Sequence, residues 1–285
     1  MLARRRSLAL SVGRAFERHW WYFTARNFFH AQGIISRGDF HLVWWDGMEK
    51  VMLYYPKMFR VFVTKQVSGC AGTNDELARW NEGVTDACPN CGLERETTKH
   101  MTRCRHEARV DLFRQTAGDV IDCLVDISVD VELIELVETH LLAQGEKTMT
   151  QCIAYTNLRY ELLAQVQDRL GWDSFVEGRI STLFLETVKP FLEKSRRRSL
   201  VKWGCSLVEA LINITHKQWL LRNSRKHYRG ANGLTGEQHE CIFARIRELM
   251  WTEEDELLPA HRYLLHEDFT VLGECSAKIR QIWIA

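Results

Sequence analysis

The sequence predicts a mainly α-helical fold, in which a small Cys/His knuckle module is followed by a multi-helix domain. Three observations predict it. Proline and glycine are scarce, at 4 and 17 of 285 residues, which disfavours sandwiches and barrels. Apolar residues recur at helical spacing through long stretches rich in Leu, Val, Glu, Arg and Lys. Cys88, Cys91, His100 and Cys104 spell C-x2-C-x8-H-x3-C, a tight turn that flanking helices must frame. With 46% hydrophobic residues the chain can bury a full core, and its length suits about two domains.

The consecutive segments read as follows. Residues 1–55 form an aromatic-rich N-terminal segment, 56–118 a helical module around the knuckle, and 119–285 a helical domain. In the first, Trp20, Trp21, Tyr22, Phe23, Phe28, Phe29, Trp44, Trp45, Tyr54 and Tyr55 are expected to be mostly core. Pro56 suits the start of a helix carrying Phe59, Phe62 and Val63 and ending near Gly69. Thr73 or Asn74 caps a short helix bearing Leu77 and Trp80. Thr97 or Thr98 starts one that carries His100 and Cys104 and continues to about Gln115. Asp130 precedes a helix whose Ile134, Val137 and Leu141 share a stripe, with Gly145 placed to end it. Another helix runs from about Cys152 to Leu170 and stops at Gly171; Asp173 caps the next, with Phe175, Val176, Ile180, Leu183 and Phe184 on one stripe. Ser199 opens a long helix with two apolar ridges, one through Leu200, Trp203, Leu207, Leu211 and Ile214 and one through Val201, Cys205, Val208, Ile212 and Trp219. Gly230, Asn232 and Gly233 break the chain, Thr235 opens a helix through Ile246, and Pro259 marks a turn.

The knuckle residues match a closed zinc site. Zn²⁺ takes four tetrahedral sulfur or nitrogen ligands, and Gly92 tolerates the backbone twist after a CxxC turn. His100 and Cys104 stand four apart, so one helical face would present both. His106 and Cys70 are alternative fourth ligands to Cys104. Three Cys and one His leave no open coordination position, which argues for a structural rather than a catalytic ion. The remaining cysteines sit singly in apolar segments as free thiols, with no disulfide framework. No apolar run is long enough to span a membrane, and the start lacks the apolar region and cleavage site of a secretory signal; the basic start, Arg4 to Arg6 with Arg14 and Arg18, reads as a basic helix, with a mitochondrial presequence as the alternative. An intracellular protein, nuclear or cytoplasmic, is expected.

A net charge of +1 conceals segregation. Residues 189–229 hold eleven Lys or Arg against two Glu, and 119–146 hold eight Asp or Glu with no Lys or Arg. Either the two stretches are solvated or mutually paired, or the basic one offers phosphate contacts through Arg196, Arg197, Arg198, Arg222, Asn223 and His227. Trp219, Arg222, Asn223 and His227 share a helix face with His216 a turn earlier, an arrangement that suits a phosphate or a base, or else a hydrogen-bonded structural cluster. HExxH, GxSxG and GxxxxGK[ST] motifs are absent, and no carboxylate is spaced beside His216 or His227, so no enzyme is expected.

Four stretches in order, 56–60, 72–80, Cys88-Pro89-Asn90-Cys91-Gly92, and 96–104 ending His100 to Cys104, resemble the zinc-binding region downstream of retroelement reverse transcriptases of the non-LTR type. That resemblance covers roughly 56–115. The family pattern more often has four residues between the His and the last Cys, whereas this chain has three. Residues 170–179 and 216–223 resemble segments of multi-copy retroelement-type reading frames. The resemblance implies the tail of a retroelement polyprotein whose zinc unit holds nucleic acid. A Tyr-x-Asp-Asp palm signature is missing, so the polymerase itself is not implied.

The leading expectation is therefore a non-catalytic, zinc-stabilised module that binds nucleic acid, RNA or DNA, through Arg95, Lys99, Arg103, Arg105 and Arg109 with the basic helix as a second contact. The alternative is a protein-interaction scaffold whose acidic 119–146 segment docks a basic partner.

Overall fold

The computed structural model describes residues 20–81, 83–153, 155–195, 199–227, 235–251, 262, 265 and 266. It is mainly α-helical. Among the described residues the only extended pairings are isolated bridges, Val43 to Ser181 and Ala87 to Arg95. The helices are α1 (20–31), α2 (Trp45–Tyr54), α3 (Lys57–Val67), α4 (Asn74–Ala78), α5 (His100–Arg103), α6 (Glu107–Val125), α7 (Val131–Leu142), α8 (Glu161–Leu170), α9 (Trp172–Val176), α10 (Thr182–Ser195), α11 (Leu200–His227) and α12 (Gly236–Leu249). None is long and apolar enough to cross a membrane.

Two compact units form, and each is discontinuous in sequence. The first comprises Met1–Ala71 with Asp111–His216, the second Gly72–Val110 with Lys217–Ala285. This division differs from the consecutive segments 1–55, 56–118 and 119–285. The knuckle stretch finds partners in its sequence neighbours and also in residues 217–227, more than a hundred positions away. Arg196, Arg197, Arg198, the loop 228–234, the turn at Pro259 and the basic start lie outside the described residues.

In the first unit, α6, α7, α9, α10 and the first part of α11 supply the core. Phe113, Val120, Leu124, Leu133, Leu136, Phe175, Phe184, Val188, Trp203, Leu207 and Leu211 are all buried there. Trp203 also donates its indole N–H to the Cys123 carbonyl at 2.7 Å, which satisfies the one polar atom that burial would strand. Phe40 anchors a smaller cluster with Ile35, Val43 and Leu170, and Tyr22, Phe29 and Trp45 pack around it. The aromatic lead-in is otherwise more open than its composition suggests. Trp20, Trp21, Phe23, Phe28 and Tyr54 are exposed, Tyr54 at 89%.

Local punctuation agrees with the sequence where a side chain reaches the backbone three residues on. Thr73 Oγ1 accepts from Glu76 N, Ser199 Oγ from Lys202 N, and Thr235 forms a reciprocal capping box with Gln238. Elsewhere long-range contacts override periodicity. The helix expected from Cys152 starts only at Glu161; the stretch before it runs in 3-10 turns, the first of them anchored by the Asp168 carboxylate, which accepts from the amides of Met149 and Thr150. Asp173 lies within α9, and the stripe from Phe175 to Phe184 is broken at Gly178, whose φ is +81°. On α7 the buried stripe is Leu133, Leu136, Val137, His140 and Leu141, rotated from the one expected. On α11 the ridge from Trp203 to Ile214 is buried, and on the second ridge Val208 and Ile212 are buried while Val201 is exposed.

Candidate metal centre

The second unit gathers Cys88, Cys91, His100 and Cys104 so that their ligand atoms lie within 4.8 Å of one another. A short bridged hairpin and one helical turn do this. Cys88 N donates to the Glu94 carbonyl at 2.8 Å, Glu96 N to Asp86, and Gly92 N returns to the Cys88 carbonyl at 2.8 Å. Gly92 has φ +68°, the left-handed conformation that glycine adopts without Cβ strain, and this brings the CxxC sulfurs round to one side. Thr97 Oγ1 accepts from His100 N at 3.1 Å and so places His100 at the start of α5.

His100 and Cys104 do not share a helical face as their spacing predicts. The turn ends at Arg103, Cys104 is already extended with ψ 127°, and α6 begins only at Glu107. The extended residue nevertheless returns its thiol to the cluster. Cys88 Sγ and Cys104 Sγ are 3.9 Å apart, and Cys91 Sγ stands 3.5 Å from His100 Nε2. A tetrahedral ion with bonds of about 2.3 Å to sulfur and about 2.0 Å to nitrogen sets those edges near 3.8 and 3.5 Å. The donor set therefore fits such an ion. Of the alternative ligands, Cys70 is exposed and belongs to the first unit, and His106 is not part of the gathered group.

Electrostatics within the cluster favour the thiolate at Cys88. The Cys88 thiol is pulled down to about 3 as it accepts from Cys104, whose own thiol rises in turn. Burial alone would lower His100, but Cys88 and Cys91 hold it up at about 9. His100 Nδ1 lies 3.0 Å from Glu94 Oε2, the carboxylate contact that orients a ligating imidazole and leaves Nε2 for the ion.

Behind the cluster lies a buried polar layer, in which Arg222 joins Asn223 and Trp219 as the hydrogen-bonded structural cluster their spacing allowed, while Glu96, Asn74 and Arg109 enter it with no signal in the sequence. Glu96, fully buried, accepts from Asn74 N at 2.7 Å and from Arg222 Nη2 at 3.0 Å. Arg222, only 1% exposed, also reaches Asn74 Oδ1 and Asn223 Oδ1 and stacks over Trp219. Arg109, also 1% exposed, binds Asn90, Met101 and Gln218. A Glu-x-x-x-His run beside a CxxC turn carries no sign that its Glu will meet an Arg 126 positions later.

The expected nucleic-acid contacts separate accordingly. Lys99 and Arg105 are exposed and Arg103 is half-buried with Nη1 on the Lys99 carbonyl. Arg95 is exposed but pairs with Asp75 and Asp86. Arg222 and Arg109 do not face solvent, because both guanidiniums are consumed by the buried layer. Asn223 is half-buried against Arg222, and His227 is exposed at the end of α11. His216 belongs to the first unit, where it packs against Phe59 and Phe62.

Comparison with protein-family models, curated proteins and solved structures finds no match.

Proposed function

We propose that the second unit is a zinc-stabilised, non-catalytic module that binds nucleic acid, descended from the tail of a retroelement polyprotein. The carrying observation is the closed set of Cys88, Cys91, His100 and Cys104, which spends all four tetrahedral positions on protein ligands. Thiolate-rich tetrahedral sites favour zinc, and an ion so enclosed contributes folding energy rather than an activated water. Lys99, Arg103 and Arg105 supply positive charge around α5, with His227 as a further polar contact at the end of α11. The retroelement descent rests on the order of the motifs, with the polymerase carboxylates absent from the chain.

The test has two stages. Metal analysis of purified protein is expected to return one zinc per chain, lost in Cys91→Ser. Titration with single-stranded RNA, single-stranded DNA and duplex DNA at several salt concentrations should then give affinities that fall steeply with salt. Replacing Lys99 and Arg105 by Ala should reduce the log–log slope on duplex DNA by about 2, close to one unit for each phosphate no longer neutralised. A salt-independent affinity, or none, would remove the nucleic-acid reading.

One observation favours a second reading. Asp122, Glu135 and Glu138 are exposed on α6 and α7, which suits a scaffold that docks a basic protein partner. Partner capture that survives nuclease and is lost on Asp122, Glu135 and Glu138 charge removal would select it.

A further inference from the structure

Two buried guanidiniums, Arg109 and Arg222, face one buried carboxylate, Glu96. Arg222 donates to Glu96 through hydrogen bonds of 3.0 to 3.2 Å, whereas Arg109 Nη2 stands 3.9 Å from it. The nearby Asp75 is already matched by Arg79 and Arg95. Two guanidiniums thus share one carboxylate, and Arg109, left with the longer contact, leaves the buried layer with one positive charge in excess.

Its hydrogen bonds point toward the knuckle. Nε and Nη2 both donate to Asn90 Oδ1, at 3.0 and 2.8 Å, and Asn90 lies in the turn between Cys88 and Cys91, its own N–H directed at Cys88 Sγ at 3.4 Å. Nη1 donates to the Met101 carbonyl between His100 and Cys104, and to the carbonyl and side chain of Gln218 on α11. Gln218 Nε2 returns a bond to the Arg109 carbonyl at 2.8 Å. Three thiolates and a neutral imidazole around a divalent ion carry one net negative charge. That is the charge Arg109 lacks.

We infer that Arg109 is the buried counter-ion of the metal centre, a positioning residue that neutralises the loaded cluster and, through Gln218, ties the loaded knuckle to α11. The inference rests on the zinc reading. It makes metal loading and the seating of 217–227 on 72–110 one event within this unit.

Zinc affinity is measured by chelator competition on the full chain for wild type, Arg109→Met, Arg109→Lys and Gln218→Leu, with Co²⁺ substitution to report ligand geometry. Arg109→Met should bind zinc at least about 10-fold more weakly, as outer partners of metal ligands typically do when removed. Arg109→Lys keeps the charge and should stay within about 3-fold of wild type, whereas Gln218→Leu keeps the charge but cuts the tie to α11, so it should lose less affinity than Arg109→Met while hydrogen exchange at 217–227 no longer responds to zinc. Hydrogen exchange at 217–227 should rise on zinc removal in wild type. Equal losses in all three variants, or loss in Arg109→Lys as deep as in Arg109→Met, would show that packing and not charge is at work and overturn the inference, as would unchanged affinity in Arg109→Met. Failure of wild type itself to bind zinc or Co²⁺ would instead remove the metal reading beneath it.

Discussion

Glu96→Gln removes one charge from a fully buried polar group of the second unit while keeping its shape. The carboxylate is fully buried and accepts from the Asn74 amide at 2.7 Å and from Arg222 at 3.0 to 3.2 Å. A glutamine offers one acceptor oxygen, and its NH₂ must turn toward a guanidinium or toward the Asn74 N–H, so at least one donor loses its partner. Removing one member of a buried ion pair costs about 3–5 kcal/mol, most of it from the charge left behind. Since whole domains are stable by roughly 5–15 kcal/mol, this is a large share of what holds the unit together. Chemical denaturation, with hydrogen exchange resolved over 72–110 and 217–227, reads the loss and its location. Replacing both partners, Glu96→Met with Arg222→Met, removes the pair without stranding a charge and should be closer to wild type than either single variant. A Glu96→Gln loss below about 1 kcal/mol, with exchange unchanged in both stretches, would refute the reasoning, because it would mean that the carboxylate's partners are satisfied elsewhere.

Three further outcomes are expected. Cys104→Ser should abolish stoichiometric metal binding, whereas Cys70→Ser and His106→Ala should retain one ion per chain by metal analysis, since only Cys104 completes the gathered group. Burial holds His140 down at about 4, against an ordinary value of 6.5, so its neutral form is favoured by folding. The stability this carries is whole above about pH 6.5 and is lost as pH falls toward 4, by roughly 3 kcal/mol at about 1.4 kcal/mol per unit; urea titrations should show a shallower acid loss in His140→Leu than in wild type, and parallel curves would contradict the burial argument. Gly178→Ala should destabilise the first unit by about 3 kcal/mol, because it forces a Cβ into φ +81° and to 2.9 Å from Ile212 Cγ1; thermal unfolding checks it.

Helical class, most element starts and the donor group Cys88, Cys91, His100 and Cys104 were legible in the chain because each depends on neighbours a few residues away. Thr73, Ser199 and Thr235 reach an amide three positions on. The CxxC turn with Gly92 likewise carries its own geometry. The sequence alone thus determined what kind of elements form and which donors are available to an ion. Only the tertiary structure decided that Cys104 joins the cluster from an extended residue rather than a helix face, and that Arg222 and Arg109 turn inward. Those outcomes hang on partners 126 and 109 positions apart, Glu96 with Arg222 and Arg109 with Gln218. A buried charge settles where it finds its opposite, and in this chain the opposite is distant in sequence and adjacent only once the unit has folded.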